Sequence, residues 1–147
     1  VEHVWTVLCR FSVVDQQRNN ISLIEIIEQL SAVGKVESDA EIQGLPFPVE
    51  LVSLWTRTDL AIPEEGRARV RILSPEQEVL NQDESHEYPI DLTQFHRFRA
   101  MGKFDVLPYV GNGVYYFIVE YWNEQDDSWL KVASVPLYIT LQSPQDE

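Results

Sequence analysis

The chain is poor in the residues that usually announce a chemistry. It has one cysteine, Cys9, in 147 residues. That excludes an intrachain disulfide framework and a cysteine-rich zinc cluster. A lone thiol suits a reducing compartment, so the setting read from it is cytoplasmic. Cys9 falls in the apolar register of its strand, which makes it a buried, inert side chain rather than a nucleophile with a base beside it. The three histidines, His3, His86 and His96, are far apart and form no HxH or HExxH spacing. No G-x-S-x-G elbow is present, and GNG (111–113) lacks both phosphate-loop spacings. The sequence therefore calls for no catalytic residue, no metal and no cofactor.

Long apolar runs are also missing. Nothing approaches about 18 consecutive apolar residues, so no membrane span is expected. The opening VEHVWTVLCRFSVV is broken by Thr6, Arg10 and Ser12 and does not read as a signal peptide. Basic residues are scarce: 11 against 24 acidic ones, for a net charge of −13. That balance opposes general binding to nucleic-acid phosphates and to anionic membranes, and it favours solubility. The length fits one domain, 1–141, with QSPQDE (142–147) as a flexible tail.

What is present is a period of two. Along the first strand Trp5, Val7, Cys9, Phe11 and Val13 fall on one side, read as the buried one, and Thr6, Arg10 and Ser12 on the other. DQQRNN (15–20) and SPEQE (74–78) have turn chemistry. ISLIEIIEQLSAVG (21–34) carries helix signals in the capping-box spacing of Ser22 and Glu25 and in Gly34 as a C-cap. Its isoleucines, and the turn before it, favour strand for the first part. KVESDAEIQGLPFP (35–48) reads as a connection, VELVSLWTRT (49–58) as a strand and DLAIPEEG (59–66) as a loop. RARVRIL (67–73) places Ala68, Val70 and Ile72 inward and three arginines outward. The tract to His86 is acidic and weakly patterned. FRAMGKFDV (98–106) places Phe98, Ala100, Phe104 and Val106 inward, and LPYVGNG (107–113) is a loop. About seven to eight strands joined by short turns predict an all-β fold, an antiparallel immunoglobulin-like β-sandwich.

Several stretches taken together, VDQQRNN with ISLIEIIEQL, LPFPVELVSLWTR, RVRILSPEQEVL, LPYVGNGVYYFIVEYW and VASVPLYI, resemble a family of small bacterial β-sandwich domains of unknown function. The resemblance spans nearly the whole chain and departs at SPEQE, where that family often has Asp and Gly. It implies a strand at 21–30 and an immunoglobulin-like sandwich. It implies no catalytic residue, cofactor or substrate.

The last hairpin, GVYYFIVEYWNEQDDSWLKVASVPLYI (113–139), is the most informative stretch. Pairing Trp122 with Trp129 sets Glu120 against Lys131, a favourable opposite-charge pair, and Val119 against Val132. One extra residue at Ala133–Ser134, a β-bulge, then keeps Phe117 opposite Val135 and Tyr115 opposite Leu137. Tyr115, Phe117, Val119 and Tyr121 become core. The outer face keeps Tyr116, Ile118, Trp122, Trp129 and Tyr138, an aromatic set unusual for solvent. Three things would cover it: residues 35–48 with Phe47, a second subunit, or a stacked ligand such as a sugar or peptide.

Two other groupings are weaker. Arg67, Arg69 and Arg71 point one way, as do Arg97, Arg99 and Lys103. If their strands share a sheet, six of the eleven basic residues converge on one anion-binding face; otherwise they are solvated and paired with Glu84, Glu87 and Asp91. The loop carboxylates Glu124, Asp126, Asp127, Asp15 and Asp105 are compatible with a calcium loop but read better as solvated turns. The sequence thus predicts a noncatalytic protein that works by protein–protein contact, as a homo-oligomer or a module for a larger partner, with the outer hairpin face as the binding surface. The alternative is a carbohydrate or small-molecule module using the same aromatics.

Overall fold

A computed structural model describes residues 1–34, 42–81 and 86–143. Every regular element among them is a strand, and there are eleven rather than seven or eight: β1 Glu2–Asp15, β2 Asn20–Ile26, β3 Gln29–Val33, β4 Gln43–Leu45, β5 Val49–Thr56, β6 Glu64–Leu73, β7 Glu87–Leu92, β8 Arg97–Phe104, β9 Leu107–Tyr109, β10 Gly113–Asn123 and β11 Ser128–Gln142. One sheet runs β2-β1-β5-β8 and a second runs β3-β11-β10-β6-β7, while β4 and β9 form a small third pair. The sheets are not wholly antiparallel, because β3 lies parallel to β11. Segment 21–34 is strand on both sides of a bend at Ile27–Glu28. The acidic tract hides β7, and the loop 107–113 hides β9, whose Leu107 and Tyr109 are buried. Val106, expected inward, is 52% exposed. The 142–147 tail lies outside the described residues beyond Ser143.

One apolar core fills the space between the two larger sheets. Leu8, Leu51 and Trp55 come from the first sheet, and Val70, Ile90, Phe117, Val119 and Leu137 from the second. Phe104 and Phe117 meet edge to face across it, with ring centroids 5.6 Å apart. The turns form as their residue types require. The Asp15 carboxylate accepts the N–H groups of Gln17 and Arg18, and the Ser74 hydroxyl accepts those of Glu76 and Glu78. Asn19 and Gln77 sit at positive φ in these turns, and Asp127 does so in the turn between β10 and β11.

Residues Trp5 to Val13 do alternate as read, but their shared side faces away from the core between the sheets; Leu8 is the β1 residue that points into it. Phe11 and Val13 are half exposed. Cys9 and Val52 are fully buried yet lie outside that core, so another element covers them. It is the far half of the β1–β2 hairpin. Arg97 stands opposite Thr56, at the same end of the sheet as Glu2, yet Arg97 and Arg99 donate to Asn19 at the hairpin tip. The hairpin must therefore fold back across the sheet. Ser12, donating to Glu50 at 2.5 Å and lying 3.5 Å from Met101 Sδ, marks its path. The bend falls where Glu25 takes φ 55°. Burial, with the Glu50 carboxylate beside it, pushes the Cys9 thiol up.

The entry to β10 is fixed by glycine. Gly113 has φ 150°, and a Cβ there would stand 2.8 Å from the Pro75 ring; Gly111 has φ 143° with open space around it. Gly113→Ala is expected to cost about 1–2 kcal/mol, more than Gly111→Ala, because it adds a clash with a rigid ring to the same backbone strain. Chemical denaturation of the two variants side by side checks the order; equal losses would remove the Pro75 contact from the account.

Candidate functional site

The second sheet turns one face to the core and the other outward. On the outward face three neighbouring strands align in rungs. Arg69 of β6, Glu120 of β10 and Lys131 of β11 form one. Arg71, Ile118 and Ser134 form the next, and Leu73, Tyr116 and Pro136 a third. Trp122 pairs with Trp129 at the hairpin end. The register read from sequence therefore stands at Trp122–Trp129, Glu120–Lys131, Phe117–Val135 and Tyr115–Leu137. The bulge lies earlier than expected: Val119 pairs with Ala133, so Val132 is the extra residue.

All five expected residues lie on this face, in two groups. Trp122 and Trp129 meet edge to face at one end, with centroids 5.2 Å apart. Tyr116 and Tyr138 lie toward the other end, roughly 20 Å and 27 Å away at strand rise. Ile118, between them, is already buried at 6% exposure, whereas Tyr138 is 45% exposed.

What covers the tryptophans is the chain itself, but not through Phe47. That ring packs against the core with the Arg10 guanidinium 4.4 Å from its centroid. The cover comes from β6. Arg67 sits 4.6 Å from the Trp122 ring and 5.5 Å from Trp129, and Arg69 sits 4.2 Å from Trp129. Arg69 also donates from Nε to Glu120 Oε1 at 2.9 Å, and Arg71 lies 3.6 Å from the same oxygen. Glu120, 9% exposed, thus anchors two arginines, one of which roofs an indole. The Lys131 pairing is one of register only; among the described residues Lys131 and Arg67 make no ion pair. A shallow hollow of about 370 Å³ opens beside these groups, between Arg71, Tyr116 and Lys131.

The two basic rows do not converge. β6 belongs to one sheet and β8 to the other, so Arg67, Arg69 and Arg71 face a different direction from Arg97, Arg99 and Lys103. Arg97 and Arg99 are spent on the β1–β2 tip. Glu84 lies outside the described residues. The loop carboxylates stay local: Asp126 accepts from Asn123, and Asp15 caps its own turn. Among the described residues no three of His, Cys, Asp and Glu gather as a metal site. His3 packs edge-on to Trp55 and bonds to Thr6, and burial lowers its pKa.

Two features escaped the sequence reading. One is the arginine roof, which rests on a pairing of β6 with β10 that local spacing does not reveal. The other is the half-exposed apolar row Phe11, Val13, Ile24 and Ile26 on the outside of the folded-back hairpin; its alternation looked like core. Compared with known proteins, the chain matches no family model, no curated protein and no solved structure.

Proposed function

We propose that this is a noncatalytic β-sandwich that works by protein–protein contact through the outward face of β6, β10 and β11. The observation that carries the reading is the Trp122–Trp129 pair held between Arg67 and Arg69. Tryptophan, tyrosine and arginine are the residues that dominate interface energetics, and here they are pre-ordered by Glu120, which lowers the entropy cost of docking. The partner is either a second copy of this chain or a larger protein for which it is a module. The scaffold we infer is immunoglobulin-like. Supporting that are the two sheets around one core and a buried Tyr115 whose hydroxyl accepts from Val110 N–H and donates to Gly111 C=O, both at 2.7 Å, as a tyrosine corner does. A place among small bacterial domains of unknown function, in the cytoplasm, belongs to the same proposal and rests on the strand-and-turn motifs and on the unpaired Cys9.

A carbohydrate module is the weaker reading. Sugars stack on open indole faces, and guanidinium groups stand over both indoles here. The discriminating experiment replaces Trp122 and Trp129 together by serine and places a photo-crosslinking residue at Tyr138. Loss of particle mass in light scattering, or of the crosslinked product, is expected. Unchanged mass with the same crosslinked products would reject the face, and a monomer that binds a glycan would favour the module.

A further inference from the structure

A line of polar side chains crosses the interior from one sheet to the other. It starts at the register shift between His3 and Trp5 on β1. On a regular strand His3 and Thr6 would face opposite sides; the bulge turns both inward. His3 Nε2 lies 2.6 Å from Thr6 Oγ1, and Thr6 Oγ1 lies 2.7 Å from Ser53 Oγ of β5. Buried Ser53 bonds in turn to the hydroxyl of Tyr88, which belongs to β7 of the other sheet. The same hydroxyl accepts the Trp55 indole N–H at 3.2 Å.

The line has a direction. Trp55 can only donate, so one side of the Tyr88 oxygen is filled. Among the described residues the Tyr88 hydrogen has no acceptor other than Ser53 Oγ. Ser53 then passes its own hydrogen to Thr6, and Thr6 donates to His3 Nε2. The line thereby requires His3 as a neutral acceptor, with its ring proton on Nδ1.

We propose that this line is a pH-sensitive clamp between the sheets, in which a proton taken up at His3 Nε2 loosens β7 from β5. Protonated, Nε2 is a donor and Thr6 must accept. Thr6 then donates to Ser53 and Ser53 to Tyr88, whose oxygen accepts twice while its own hydrogen loses its acceptor. A donor stranded in the interior shifts the opening equilibrium by at least about fivefold. β7 is the edge strand of its sheet, held by β6 on one side only, so it is the element that yields.

The charged groups on the inner side of the elements round His3 are engaged elsewhere. Arg57, just past β5, donates to the Leu60, Leu92 and Thr93 carbonyls. Glu64 of β6 takes the Val1 ammonium and the Thr58 N–H. Tyr121 of β10 and Tyr88 of β7 are neutral, Glu124 acts on Tyr121, and Glu2 is on the exposed side of β1. Burial lowers the His3 pKa, in the direction the line enforces. Native His3 therefore takes its proton at lower pH than the unfolded chain does. Stability is full above about pH 6.5 and falls as pH drops from there to the native value, by up to about tenfold in the unfolding constant per pH unit. The inference stands apart from the contact reading.

The test follows the His3 ring of the full chain by NMR. Above its titration, long-range proton–nitrogen correlation is expected to place the proton on Nδ1. Tyr88→Phe deletes the hydroxyl three hydrogen bonds from the ring, frees the line to reverse and should raise the His3 pKa. Tyr121→Phe, against Trp55 but outside the line, should not. Through the His3 titration, hydrogen-exchange protection of β7 amides should fall at least about fivefold after correction for the intrinsic rate. His3→Gln, which accepts a hydrogen bond without titrating, should abolish that fall. A neutral ring with its proton on Nε2, a His3 pKa unmoved by Tyr88→Phe, or β7 protection indifferent to the titration would each overturn the clamp. The first and last are read on the parent protein and decide the matter even if the variants fail to fold.

Discussion

Trp55→Ala is expected to remove about 4 kcal/mol of folding stability and to lower Tm by roughly 10–15 °C. Trp55 is fully buried on the inner face of β5. It touches His3 edge to face at 5.2 Å, Tyr121 of the opposite sheet at 6.0 Å, and donates its indole N–H to the Tyr88 hydroxyl at 3.2 Å. It is the side chain through which the first sheet grips both β10 and β7. Alanine would open a cavity of most of an indole and leave the Tyr88 hydroxyl, already desolvated enough that its pKa is raised, without that donor. The cavity is the larger effect; the lost hydrogen bond adds about 1 kcal/mol. Trp55→Phe should therefore cost roughly half as much, since it keeps most of the ring volume. Against a total stability of about 5–15 kcal/mol the alanine variant can fall close to unfolding. Urea titration of the phenylalanine variant then remains readable. A loss below about 1.5 kcal/mol for alanine would mean that the two sheets are held mainly elsewhere.

What the sequence disclosed and what it withheld divide along a physical line. The β10–β11 register was legible because one pairing, Trp122 with Trp129, fixes every other, and a one-residue slip would turn the aromatic core outward. The bulge was misplaced by a residue or so because the inner face tolerates the extra residue at Val132 as well as near Ser134: both placements restore Phe117 to Val135. Turns at 15–20 and 74–78 were legible because Asp15 and Ser74 act on their own neighbours. Long-range pairing was not. Whether Arg69 and Arg99 share a sheet depends on partners of β6 and β8 tens of residues away, and no local spacing records it. β7 was overlooked because Glu87, Pro89 and Asp91 dominate its outer side; Tyr88, Ile90 and Leu92 alternate beneath them, and Pro89 marks an edge strand. On β1 the period of two gave the alternation but not which side meets the core between the sheets. Apolar alternation reads alike whether the side is covered, as at Cys9, or left half exposed on the outside of a folded-back hairpin, as at Phe11 and Val13, which is why the last two were placed inside.

Glu120→Ala is expected to cost about 2–3 kcal/mol, the second-largest single effect, and to disturb the site without unfolding the protein. The carboxylate is nearly buried, and its removal leaves Arg69, with its side chain 26% exposed, without its counter-ion. Breaking a buried pair from one side costs about 3–5 kcal/mol; the partial exposure of both arginines brings the figure down. Replacing the pair together, as Arg69→Leu with Glu120→Leu, should recover much of the loss, because no charge is then stranded in the sheet. A double-mutant cycle with Arg69 thus separates the ion pair from simple truncation: a coupling above about 1 kcal/mol is expected, and additive losses would rule the pair out as a structural element. Tryptophan emission gives a second reading of the same variant. With Glu120 gone, Arg69 is no longer held 4.2 Å from the Trp129 ring, and the indole should become more accessible to a neutral quencher. Accessibility that stays at the parent level while stability falls would show that Arg69 keeps its place by the cation–π contact alone. The order of the interface would then originate in the aromatic pair rather than in the carboxylate beneath it.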